Sequence, residues 1–308
     1  MNIVFYGSLV VVCYLLLQVF LLVSFKVPTN SMVPEIMPGD FILVEKLSMG
    51  PRLFNVFKAT RLEDVEIYRL PGLRGIKRDD VVVFNFPYEY GRWDSVRFHV
   101  KYYTKRCIGL PGDTLSIRNG LYRIKMPYSP ALKGTQPPLT SPVYQEGTTI
   151  LEGELNVGDR RGQIEVAMLS DSIFKARYHD PVYPEASAGV GMGWTLKEFG
   201  PLPIPQRGQT IQMDSTTWKL YHQLVEWEQK QKLTIDHEGV VRLGNEVIDA
   251  YTFTHDYYFM AGDNAISSID SRFWGLVPDD YIVGRVWRIW KSVDRNGKVR
   301  WNRVFKKV

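Results

Sequence analysis

The stretch Tyr103-Thr104-Lys105-Arg106-Cys107-Ile108-Gly109-Leu110-Pro111-Gly112-Asp113 decides how this chain folds. Its β-prone character extends back to His99, and Pro111-Gly112-Asp113 stops it with a turn, so residues 99–108 are predicted to form a strand. The same texture recurs on both sides. Phe41-Ile42-Leu43-Val44 follows the turn Pro38-Gly39-Asp40, and Val81-Val82-Val83-Phe84 is another apolar run. Residues 281–290 and 299–305 are candidate strands near the C-terminus. Short strands punctuated by Gly and Pro predict a mainly β fold, an antiparallel sandwich or barrel.

Residues 115–250 break this pattern. Ten prolines fall between positions 127 and 205, which predicts loop and edge structure. One helix is predicted over residues 215–232, capped by Asp214, with Trp218, Tyr221, Leu224, Val225 and Trp227 at mostly helical spacings. The stretch reads as a loop-rich insertion, leaving residues 27–114 and 251–308 as two halves of one β-domain. Ahead of them lies an uncharged run over residues 3–25, IVFYGSLVVVCYLLLQVFLLVSF. At about 1.5 Å per residue it is long enough to cross a bilayer core as one helix. Met1 and Asn2 carry no side-chain charge, and Ser24-Phe25-Lys26-Val27-Pro28 offers no small-x-small exit. Residues 1–26 therefore read as a retained transmembrane anchor, not a cleaved signal. Lys26 on its C-terminal flank points that flank toward the cytosol under the positive-inside rule.

The net charge of +5 is concentrated at the C-terminus, where residues 291–308 carry seven Lys or Arg against Asp294 alone. Such a run is either a solvated terminal strand or a contact for anionic lipid. No recognition motif accompanies it, so no nucleic-acid partner is expected. Cys13 lies in the apolar run and Cys107 far along the chain, and no disulfide is expected between them. The five histidines, His99, His179, His222, His237 and His255, show no His-Glu-x-x-His spacing, and there is no Gly-x-Ser-x-Gly elbow.

Three separated clusters carry the chemistry. Ser31 sits in Pro28-Thr29-Asn30-Ser31-Met32-Val33-Pro34, where flanking prolines restrict the backbone and can hold Oγ in one direction. Lys105 lies within the predicted strand; alternation puts Cys107 and Gly109 on its face and Arg106 and Ile108 on the other. On an inward face its ammonium would be desolvated. Moving the pKa from about 10.4 to neutrality takes roughly 3 units, or about 4 kcal/mol, and makes a general base. At a strand edge it would instead snorkel to water. The third cluster is Gly262-Asp263-Asn264 followed by Ser268, Asp270, Ser271 and Arg272, a turn and a polar loop in which Asp270 and Arg272 can pair with each other or with Arg106.

Together, Ser31-Met32-x-Pro34, Lys105-Arg106-x-x-Gly109-x-Pro111-Gly112-Asp113 and Gly262-Asp263-Asn264-x-x-x-Ser268-x-Asp270-Ser271-Arg272 resemble bacterial type I signal peptidase, the membrane-anchored Ser/Lys protease family of the secretory pathway. The resemblance implies Ser31 as nucleophile and neutral Lys105 as general base, with no metal or cofactor. It implies an oxyanion hole from the Ser31 N–H and the Thr29 hydroxyl, Thr29 standing where the family usually has serine. Ser268 would orient the Lys105 amine, Asp270 and Arg272 would hold that loop, and Arg106 and Tyr103 would support the base. Met32, Val33 and Pro34 would lie near substrate and membrane. The implied substrates are preprotein signal peptides with small residues at −1 and −3. The implied location is the bacterial inner membrane, in contact with the lipid bilayer, with a single pass and the catalytic domain on the outer side. Two departures stand out: Asp79 replaces a usual glycine, and Ala265 follows Gly-Asp-Asn where arginine is common. Self-cleaving repressors share Ser/Lys chemistry but would need a DNA-binding region where the apolar run lies. A non-enzymatic membrane-tethered β-domain would be indifferent to Ser31→Ala.

Overall fold

The run Val81-Val82-Val83-Phe84 is apolar at every position because the sheet is covered on both faces. In the computed structural model it forms β5 (Val81–Asn85), in which Val82 and Phe84 enter the main core while Val81 and Val83 enter a smaller one with Met32, Ile36, Ile42 and Val286. The structure describes residues 2–61, 63, 65–88, 95–118, 121–126, 182–184, 191–196, 198–265 and 267–308.

Around β5 is built one curled antiparallel sheet in the order β1-β2-β17-β5-β6-β15-β16, a half-barrel. The other members are β1 (Leu22–Lys26), β2 (Asp40–Glu45), β6 (Tyr102–Gly109), β15 (Tyr257–Ala261), β16 (Val277–Pro278) and β17 (Ile282–Ser292). A second sheet of three strands pairs β7 (Thr114–Arg118) with β8 (Leu121–Lys125) and β9 (Phe199–Pro203). Short ribbons complete the β structure: β3 (Arg52–Leu53) with β4 (Tyr68–Arg69), β10 (Thr210–Gln212) with β14 (Ala250–Thr252), and β11 (Leu233–Ile235), β12 (Val241–Leu243) and β13 (Glu246–Val247).

The helix predicted over 215–232 is present at Ser215–Gln229; the Asp214 carboxylate accepts from the Thr216 and Thr217 N–H groups, both at 2.8 Å, and Lys230 ends it in a left-handed conformation. Much of the proline-rich stretch, residues 127–181, lies outside the described residues.

Two local expectations need correction. The apolar run is not one helix: α1 spans Asn2–Phe20, and the run's last residues become β1, paired with β2 from Leu22↔Glu45 to Lys26↔Phe41. Hydropathy alone does not separate helix from strand, and the open edge of β2 captures the segment. Nineteen residues rise about 28 Å. Among the described residues no helix is long and apolar enough to cross a membrane. Residues 299–305 are not a strand either; Trp301–Arg303 is a single 3₁₀ turn flanked by isolated bridges, because its arginines are drawn inward.

Candidate active site

Ser31 is placed by its neighbours in sequence. Met32, 1% exposed, and Ile36 plug the smaller core, and the Ile36 N–H donates to Met32 O at 2.8 Å, closing a turn that also has the Val33 N–H donating to Asn30 O at 3.1 Å. From the opposite side, the Asn264 N–H donates to Ser31 O at 3.0 Å and Asn264 Nδ2 donates to Asn30 O at 3.3 Å. This approach requires glycine at 262. A Cβ there would fall 2.4 Å from Ser31 O and 2.3 Å from Ser268 Oγ.

Lys105 reaches the same spot from β6, opposite Val82 on β5. It is 3% exposed, and its Nζ donates to Ser31 Oγ at 2.6 Å. The Tyr103 ring, stacked on Phe86 at 4.4 Å, lies 5.9 Å from Nζ. Burial pushes the Lys105 amine down from 10.5 to about 8; Asp270 opposes that shift and Arg272 adds to it. The lysine is therefore inward and desolvated, not snorkelling.

The polar loop is wired beneath this pair. Arg272 grips Asp270 through Nε and Nη2, each at 2.8 Å, and Nη2 also donates to Ala265 O at 2.7 Å. Burial alone would raise the Asp270 carboxyl, but Arg272 and the Gly262 N–H hold it below the usual carboxylate range. Asp270 also caps the short helix Ser271–Trp274. Of the pairings left open by sequence, Asp270 takes Arg272, and Arg106 takes Asp263 through Nε and Nη2 at 2.6 Å each. Ser268 is fully buried beside Gly262, and its hydroxyl is one of the groups that hold the Asp270 carboxyl down.

Alternation along β6 fails at one position. Pairing with β15 runs Met260↔Cys107 and then Phe259↔Gly109, so Ile108 is an extra residue and packs in the same core as Cys107. Asp79, at the usual glycine position, has φ +71°. That left-handed conformation favours glycine and is tolerated by Asp.

Ser31 and Lys105 open into a groove of about 450 Å³ lined by Phe25, Val27, Thr29, Met32, Tyr103 and Ile269 among others. Thr29 is exposed on its wall. Val33 and Pro34 do not line it, and Arg106, Asp270 and Arg272 lie beneath it.

A family model for signal peptidase, peptidase S26, matches residues 1–157 and 206–290. This chain belongs to that family. The S26 peptidases are serine peptidases. Among its relatives is a Signal peptidase I of Buchnera aphidicola (from Acyrthosiphon pisum), 25% identical over 91% of this chain and 72% of the relative. The Signal peptidase I of Helicobacter pylori strain J99 is 25% identical over 98% of this chain and 90% of the relative. That of Pseudomonas aeruginosa is 25% identical over 90% and 68%. In this S26 peptidase, sequence reasoning missed three contributors: Gly262, Asn264 and Asp263 as the partner of Arg106. All stood inside a quoted motif but were read as a turn. The pairing Ala261↔Arg106 is the signal that brings Asp263 beside the guanidinium, and it is a long-range one.

Proposed function

We propose that this chain is a membrane-anchored serine endopeptidase that removes signal peptides from secreted preproteins, with Ser31 as nucleophile and Lys105 as general base. The observation that carries the reading is the 2.6 Å contact between two buried groups, an amine of depressed pKa and a hydroxyl, at the head of a groove. Neutral Lys105 takes the Ser31 Oγ proton as Oγ bonds to the scissile carbonyl carbon. The Ser31 N–H and the Thr29 hydroxyl hold the oxyanion. The C–N bond then breaks, and the leaving amine takes the proton from Lys105. Water attacks the resulting ester, gives its proton to Lys105, and Ser31 Oγ leaves with a proton restored. Ser268 orients the amine in this reading, from a buried position beside Gly262 and next to Asp270, the carboxylate that also acts on Lys105. The groove accepts an extended chain with small residues at −1 and −3.

The lipid bilayer is the second proposed partner. The α1 helix carries no charge, and Val4, Phe5 and Val10 are 76, 64 and 68% exposed. On the sheet that β1 joins, Trp290 donates to Ser24 Oγ at 2.7 Å; Trp287, Trp290, Trp301 and Phe305 are exposed, and Lys26 and Lys291 flank the Phe41 ring at 5.9 and 5.3 Å. Exposed aromatics among cations suit a headgroup layer. In this reading α1, 19 uncharged residues, inserts into the inner membrane and the sheet lies on its outer side, against the weak signal of Lys26. Protease added to intact spheroplasts should then digest the domain; digestion only after lysis would reverse the topology. The activity itself is tested with a synthetic peptide carrying Ala at −1 and −3 and the detergent-solubilised protein. The parent should cut it and Ser31→Ala should not; cleavage that survives Ser31→Ala contradicts the reading.

A further inference from the structure

The basic C-terminal run is divided in the structure. Of its seven cations, Arg300, Arg303 and Lys306 pair with the turn that follows Ser31. Asp40 is fully buried at the start of β2. Arg303, 3% exposed, grips it with Nη2 at 2.6 Å from Oδ2 and Nε at 3.1 and 3.2 Å from the two oxygens. The same Nη2 donates to Glu35 O at 2.8 Å. Arg300 Nη2 donates to Pro38 O at 2.6 Å, and Lys306 Nζ lies 3.2 Å from the Glu35 carboxylate. Asp40 also accepts from Ser292 Oγ at 2.6 Å and from the Met37 N–H at 2.8 Å. The tail is thereby strapped across residues 35–40.

The strap acts on the turn that carries the nucleophile. Ser31 precedes Glu35 by four residues, and the Ile36 N–H closes onto Met32 O. The Gly262–Asn264 loop holds Ser31 from one side; the tail holds the far end of the same turn. A buried ion pair adds little net stability, and its return here is geometric, since a planar guanidinium fixes several acceptors in one arrangement. None of the three cations lines the groove.

We propose that Arg303 is a positioning residue for Ser31, fixing the 31–40 turn so that Oγ stays within hydrogen-bond reach of Lys105. The inference rests on Ser31 being the nucleophile. It is tested on the full-length protein in detergent with the Ala/Ala peptide. Arg303→Ala should lower kcat about tenfold with KM within about twofold. It should also move the acid limb of kcat/KM upward, because a looser turn readmits water to Lys105, which is faced by Asp270, Asp263 and Arg272. Arg303→Lys keeps the charge without the fork and should lose about threefold. Arg295→Ala, exposed on the same tail, should change neither quantity. Unaltered kcat in Arg303→Ala overturns the proposal, as does a loss that only tracks the unfolded fraction in a thermal melt with the acid limb unmoved. Where Arg303→Ala does not fold, Arg303→Lys decides, and parent-like kcat and acid limb overturn it. Ser31→Ala run beside them separates the two failures: cleavage surviving in Ser31→Ala removes the nucleophile, whereas its loss with a parent-like Arg303→Ala removes only the strap.

Discussion

Lys105 and Lys46 sit in two regions of the molecule that burial drives to the same result, an amine pushed down to about 8. Their partners differ. Lys105 Nζ faces a hydroxyl, Ser31 Oγ, at 2.6 Å. Lys46 Nζ faces two carbonyls at the C-terminal end of α1, donating to Gln18 O at 2.7 Å and Val19 O at 3.1 Å, with Arg52 adding to its depression. A carbonyl has no proton to give. Lys46 is thus a helix cap that joins α1 to the sheet, and its cation suits the negative end of the helix dipole. A depressed pKa reports burial; the atom opposite the amine decides whether there is chemistry.

The largest expected effect breaks the comparison outright. Lys105→Ala and Lys105→Arg should each lower kcat/KM for the soluble peptide by about a thousandfold or more, the guanidinium being unable to give up its proton in this range. Lys46→Ala should stay within about threefold, since capping contributes to the fold and not to the reaction. Equal losses at both positions would show that burial alone was being measured.

Stability should move the opposite way. The folded-state pKa of Lys105 is depressed, from 10.5 to about 8, so its charged form is penalised in the fold. That penalty is complete below about pH 8, shrinks as pH rises, and is gone above 10.5. Lys105→Met should then raise unfolding free energy at pH 7 by about 3 kcal/mol, and the gain should vanish near pH 10.5. Urea melts at the two pH values check it; a gain that does not depend on pH would assign it to packing. Gly262→Ala should make Lys105 resemble Lys46, by forcing Ser31 away from the amine. With the added Cβ 2.4 Å from Ser31 O, kcat should fall about a hundredfold, read in steady-state kinetics. The smallest effect is Lys46→Met, which should leave unfolding free energy at pH 7 nearly unchanged in the same urea melts, because removing a penalised cation offsets the loss of its bonds to Gln18 O and Val19 O.

Much of this site is legible in the chain, for reasons that are local. The Asp214 cap reads directly, and so does Val81-Val82-Val83-Phe84, whose unbroken apolar character follows from a sheet covered on both faces. Ser31 and Lys105 are 74 positions apart, and no periodicity links them; only the motif resemblance brings them together. Other features are set by distant partners. Residues 22–26 look like more helix until the open edge of β2 is known. Arg303 looks solvated in a cationic tail because Asp40 is 263 residues away. Ile108 follows alternation in the sequence but becomes the extra residue of a bulge once β6 meets β15.

The measurement that bears most directly on Ser31 and Lys105 is the pH dependence of kcat/KM for the Ala/Ala peptide, run in parallel on the parent and Lys46→Met. An acid limb near 8 in both proteins, matching the depressed amine of Lys105, is the expected result. A limb near 10.5, or one near 8 that disappears with Lys46→Met, would contradict Lys105 as the base.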